Sequence, residues 1–113
     1  MIFLLISLAY AAHNIMDYGA TPNVSGYGIA QSNAVAFTLA FGYAVNDPSD
    51  REIIVPADLN FYMLPVALSN ATNVTITIDG NIWACDDYEH WPAPDGKHYE
   101  NLFEFTDMTD FKV

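Results

Sequence analysis

At 113 residues, 52% hydrophobic and 14% aromatic, the chain is one domain or part of one and can build a core, which excludes a disordered acidic tail. Its formal net charge is -11, with Arg51, Lys97 and Lys112 as the permanent cations. That balance excludes nucleic acid as a partner and disfavours anionic membranes, because both need clustered Lys and Arg.

Residues 1–12 form an uncharged apolar run, too short to span a bilayer, which takes about 20 apolar residues. The run ends in Ala9-Tyr10-Ala11, the small-x-small pattern of a signal-peptidase site. Residues 1–11 therefore read as a signal peptide cleaved after Ala11 or close by, and residues 12–113 as a secreted, extracellular domain. A buried first strand or helix is the other reading of the same run. Three Asn-x-Ser/Thr triplets, at Asn23, Asn70 and Asn73, fit secretion and are glycosylation candidates. Asn70 and Asn73 are too close to carry glycans at once.

Residues 13–18 read as a short strand leading to a turn at Gly19. Residues 21–32, rich in Asn, Ser and Gly and broken by Pro22, read as a loop. Ser32 or Asn33 can cap the helix expected over 33–45, where Ala36, Phe37, Ala40, Phe41 and Ala44 recur at helical spacing. Small alanines beside two phenylalanines let such a helix lie close on a flat surface and shield a sheet end. Strands are expected over 52–55 and 61–64, stopped by Pro56 and Pro65, then over 66–68. The alternation of residues 74–78 sends Val74, Ile76 and Ile78 to one side. Asp79-Gly80 is a turn signal, and residues 82–84 resume a strand. Residues 86–98 read as a loop, and strands at 102–105 and 111–113 are divided by residues 107–110. Stacked coils fit short strands at irregular intervals with one early helix; a small sandwich fits the pattern nearly as well.

Several stretches, in order, carry a resemblance. Asp17-Tyr18-Gly19-Ala20 precedes the helix bearing Ala36-Phe37, Ala40 and Ala44. Ile54-Val55-Pro56-Ala57, Pro65-Val66-Ala67-Leu68, the run from Val74 to Ala84 and the Asp87…Trp91-Pro92 loop follow. Together they resemble the N-terminal portion of glycoside hydrolase family 28, the polygalacturonases of the pectin-lyase-like superfamily. Two departures stand out: Asp58 replaces the usual glycine after Pro-Ala, and residues 21–31 lack the family's Gly-Asp-Gly and Thr-Asp signals. The resemblance implies a mainly β fold, a right-handed parallel β-helix of which this chain supplies the capping helix and first coils. It implies hydrolysis of α-1,4-galacturonosyl bonds in pectin with inversion, by aspartates set about 6.5–9.5 Å apart to admit a water. The family's catalytic motifs lie on later coils, so no catalytic residue is assigned here and the chain alone is expected to be inactive. Its last coil would be open, which invites self-association. A small extracellular carbohydrate-binding or surface-interaction module is the alternative.

Other constellations are weaker. Asp86-Asp87 looks like the family's catalytic doublet but falls too early and reads as solvated. Cys85, His90 and His98 with Asp86, Asp87 and Glu89 lack the tight paired spacing of a zinc site, so no metal and no cofactor is expected. Cys85 cannot form an intrachain disulfide and reads as a small buried hydrophobe. Gly26-Tyr27-Gly28 reads as a flexible loop rather than a nucleotide fingerprint. His13 has no evident catalytic partner. Trp83, Tyr88, Trp91 and Tyr99 are candidates for a sugar-stacking patch, with Trp91 and Tyr88 as the substrate-binding candidates.

Overall fold

The computed structural model describes residues 12–87, 89–93, 95, 96 and 99–113. Residues 1–11, where a signal peptide is expected, and the candidates Tyr88 and His98 lie outside the described residues. The fold is mainly β. Strand β1 (His13–Asn14) is followed by a 3-10 helix (Ile15–Tyr18) and by α1 (Tyr27–Val45). Six more strands follow: β2 (Glu52–Val55), β3 (Asn60–Met63), β4 (Val66–Thr72), β5 (Thr75–Ile78), β6 (Asn81–Ala84) and β7 (Phe103–Thr109).

Every strand pairing among the described residues is parallel. The sheets run β1-β2-β5, β3-β6 and β4-β7. From β2 onward the chain visits the three sheets in one order and then visits them again in that order. Each second-pass strand lies beside its first-pass counterpart, with Ile53 opposite Ile76, Phe61 opposite Ile82 and Val66 opposite Phe103. Inward side chains of the first pass, including Ile53, Val55, Phe61, Met63, Val66 and Leu68, make one core with Val74 and Ile76 of the second. Burying a large aliphatic or aromatic side chain contributes about 1.5–3 kcal/mol, so this shared core ties the two passes together.

Helix α1 covers the first pass. It packs against β1–β4 and the 3-10 helix, burying Ala36, Phe37, Ala40, Phe41 and Ala44. These are the residues whose spacing predicted the helix. It starts earlier than expected, because Gly26, at φ 117, turns the chain into the helix and Ala30 N donates to Gly26 O. Residues 27–32 are therefore helix rather than loop, and Gly26-Tyr27-Gly28 is a helix start. Neither Ser32 nor Asn33 is the cap. Asn33 lies on the buried face at 0% exposure. The helix carries no charged residue, no side-chain cap at its N-terminus and no charge placed to offset its dipole at either end, while Asn46 Nδ2 donates to Gly42 O at its C-terminus.

Three other expectations change. Only His13–Asn14 of the first predicted strand is extended, because the Asn14 side chain accepts from Met16 N and caps a 3-10 turn that left-handed Gly19 closes. The strand expected at 102–105 runs on to Thr109 as β7, and the one expected at 111–113 is reduced to a single bridge between Lys112 and Thr75. Asp107, at φ 55, bends β7 without ending it. Ile78 does not join Val74 and Ile76 inside: it is 39% exposed, at the end of the outer strand of its sheet.

Candidate functional site

Asn33 organises the region around the helix start. Its Oδ1 accepts from Thr21 N at 2.8 Å, and its Nδ2 donates to Thr21 O at 3.2 Å and Tyr62 O at 2.8 Å. One buried amide thus joins the segment before α1, the helix and β3, with every polar atom satisfied. Above it, Tyr27 of α1 stacks on His90, with ring centroids 4.4 Å apart. His90 Nδ1 meets Asp87 Oδ2 at 2.7 Å. Tyr27, Gln31, Val35, Leu39, Leu64, Pro65, His90 and Pro92 line an open cleft of about 410 Å³ between helix and loop. The His90–Asp87 pair can hold a proton at Nδ1, but among the described residues no Ser, Thr or Cys lines the cleft beside His90 except Thr38 of α1, which donates to Ala34 O.

The predicted aromatic patch divides. Trp91 donates from Nε1 to Glu100 O at 2.8 Å and shares a cleft of about 220 Å³ with Ala84, Cys85, Asp86 and Tyr99. Trp83 is on the outer face of β6 instead. There it stacks on Tyr62, centroids 6.4 Å apart and planes 25° apart, and donates from Nε1 to Asn60 Oδ1 at 3.2 Å. Asn81 Nδ2 donates to the same oxygen at 3.0 Å. Sequence reasoning missed Tyr27, Asn60, Tyr62 and Asn81. A signal for three of them was available: Asn60-Phe61-Tyr62-Met63 and Asn81-Ile82-Trp83-Ala84 share the order asparagine, apolar, aromatic, apolar, and they fall in register.

Cys85 is buried and free. Asp86 is exposed, whereas Asp87 is held by His90. Among the described residues no three His, Cys, Asp or Glu side chains gather as a metal site. No helix among them is long and apolar enough to cross a membrane.

His13 is pinned rather than idle. Its Nδ1 faces Tyr18 Oη at 2.7 Å, and its Nε2 faces Asp47 Oδ2 at 3.0 Å and Asp50 O at 3.1 Å. The neutral tautomer that satisfies all three has Nε2–H donating to the oxygens and Nδ1 accepting the phenol proton. Burial, then the nearby Tyr43, Asp17, Asp47 and Asp50, raise the Tyr18 pKa. Hydrogen bonds from Ser49 and, less strongly, from His13 lower that of Asp47.

All three asparagines of the glycosylation triplets are exposed, and all three hold left-handed backbone, with φ 61 at Asn23, 59 at Asn70 and 58 at Asn73. Asparagine tolerates that region better than most residues, so each has a conformational reason to be there. Asn23 Oδ1 also accepts from Asn60 N at 3.0 Å.

Comparison of the chain with family models, with curated proteins and with solved structures found no match.

Proposed function

We propose that this chain supplies the capping helix and first two coils of a right-handed parallel β-helix in a secreted, polygalacturonase-like protein. The observation that carries the reading is the repeated visit to three parallel sheets in one order beneath a covering helix. A second feature supports it. Asp58, standing where the resembled family has glycine, holds φ 64, the backbone region glycine favours and aspartate tolerates.

On this reading the chain's work is architectural. It closes one end of the stack and presents strand edges on which further coils, bearing the catalytic aspartates, build. No carboxylate pair of this chain is assigned to general acid and base catalysis, which falls to those further coils. Its net charge of -11 opposes a polyanionic chain, so pectin contact belongs to the complete enzyme. The outer edges of β6 and β7 are unpaired among the described residues, and self-association runs through them.

The test is a chimera in which residues 12–113 replace the capping helix and first coils of an active polygalacturonase. Folding and release of reducing ends from polygalacturonate are expected, with none from this chain alone. An insoluble or unfolded chimera, or turnover by the isolated chain, overturns the reading.

A further inference from the structure

We propose that the outer face of the β3–β6 pair binds a neutral pyranoside chain, with the Trp83 indole as stacking plane and the Asn60 and Asn81 amides as partners for sugar hydroxyls. Trp83 is 53% exposed although it sits in the middle of a strand pair. An indole left in water on a regular strand loses the benefit of burial, so its exposure calls for an occupant.

The face is built. Asn60 Oδ1 accepts from both Trp83 Nε1 and Asn81 Nδ2. Those two bonds fix the orientation of both amides and hold the indole in place. They leave the Asn60 Nδ2 hydrogens as donors and Asn81 Oδ1 as an acceptor. Donor and acceptor a few ångströms apart suit the vicinal hydroxyls of a pyranose. Tyr62 backs one face of the indole, and the opposite face is left for the apolar side of a sugar ring. Phe61 and Met63, both 0% exposed, anchor β3 from beneath, so the platform stands on core rather than on a loop. Little ordering remains to be done on binding.

Charge selects the ligand class. Asn60, Asn81 and Trp83 have no ionisable group, and the chain as a whole is strongly acidic. A uronate polymer is repelled, while a neutral chain meets no field. The β-helix reading builds further coils on the unpaired edge of β6, the strand that carries Trp83, so the two readings compete for the open side of the indole; the titration below tests the sugar site and the chimera does not.

The experiment titrates the full chain with hexasaccharides of β-1,4-galactan, β-1,4-glucan and β-1,4-xylan, using calorimetry, with an oligogalacturonate as the anionic control. At least one neutral chain is expected to bind and the oligogalacturonate not to. Trp83→Ala should weaken binding by about tenfold or more and Asn81→Ala by a smaller factor, while Trp91→Phe leaves it unchanged. If Trp83→Ala fails to fold by circular dichroism, Trp83→Phe and Asn81→Ala carry the test. Absence of neutral-chain binding up to about 10 mM overturns the proposal. So does equal binding by the parent and the Trp83 and Asn81 variants, or preference for the oligogalacturonate. Self-association that Trp83→Ala abolishes, without sugar binding, assigns the face to a second copy and equally overturns it.

Discussion

Asn70 and Asp107 fill the same gap in the β4–β7 register, between the pairs Ser69–Thr106 and Ala71–Met108, and both hold left-handed backbone, at φ 59 and 55. Three residues on, just past the ends of the two strands, Asn73 and Asp110 are again left-handed, at φ 58 and 52. The two strands bend at the same places, so their ladder continues through the bends: Ala71 faces Met108 and Thr72 faces Thr109. A corner in one pass is thus the template for the corner in the next. Asp107→Val should lower stability by about 1–2 kcal/mol, the usual cost of forcing a side-chain-bearing residue left-handed. Asp107→Asn should be close to neutral. Urea midpoints for the two variants decide the point, and equal midpoints would show that the bend is not constrained.

Asn33→Ala should be among the most damaging single changes. It strands Thr21 N, Thr21 O and Tyr62 O in a buried setting. Each unsatisfied buried group costs about 1–3 kcal/mol, so a loss of about 3 kcal/mol is expected after partial relaxation. Asn33→Asp should also destabilise, because it removes the two donors. Thermal unfolding of both variants is the measurement.

Gly80→Ala should destabilise for a steric reason. A methyl group there would meet Leu59 O at 2.8 Å and Pro56 O closer still, and both are backbone atoms that cannot swing aside. Gly96 has nothing within 4 Å of the equivalent position. Its φ of 72 makes Gly96→Ala a strain-only control. The Gly80 variant should lose clearly more stability than the control.

The His13–Tyr18–Asp47 pin gives stability a two-sided pH dependence. The raised pKa of Tyr18 means that the folded chain holds the phenol proton more tightly than the unfolded chain, whose ordinary value is 10.0. That contribution is complete below pH 10.0 and is lost as pH rises through the folded value. The lowered pKa of Asp47 has the opposite sign: its contribution is present above 3.8 and is lost as pH falls below that. Tyr18→Phe should flatten the alkaline limb of a stability–pH curve, and Ser49→Ala the acid limb. A curve unchanged by either substitution would contradict the pin.

The sequence revealed the fold's apolar skeleton more readily than its polar joints. Periodicity finds the buried face of α1 through Ala36, Phe37, Ala40 and Ala44, alternation finds β5, and the breakers Pro56, Pro65 and Asp79-Gly80 bound β2, β3 and β6 to within a residue or so. Residues 27–32 were missed since Gly, Gln and Ser read as loop; only the packing of Ala30 against Leu64 and Cys85 shows that this turn belongs to the helix. Asn33 misled for a related reason. Asparagine is a common cap, and its three partners lie on segments whose proximity depends on the finished fold. Of the aromatic patch, Trp91 and Tyr99 line one cleft, while Trp83 pairs with Tyr62 across a strand pair. That pairing is a matter of register, which the repeated asparagine–apolar–aromatic order hinted at and composition alone could not.

Helix α1 has no side-chain cap at its N-terminus, no charge against its dipole and no ion pair along its length; its local support is Asn46 at the C-terminus, whose Nδ2 donates to Gly42 O. A peptide spanning residues 27–45 would therefore be largely unstructured in water, since nucleation is costly and little within the helix offsets it. The strands beneath must assemble before the lid can condense on them. Damage to the first pass would then surface earliest as lost helical signal, and far-ultraviolet spectra would report on a core they do not directly see.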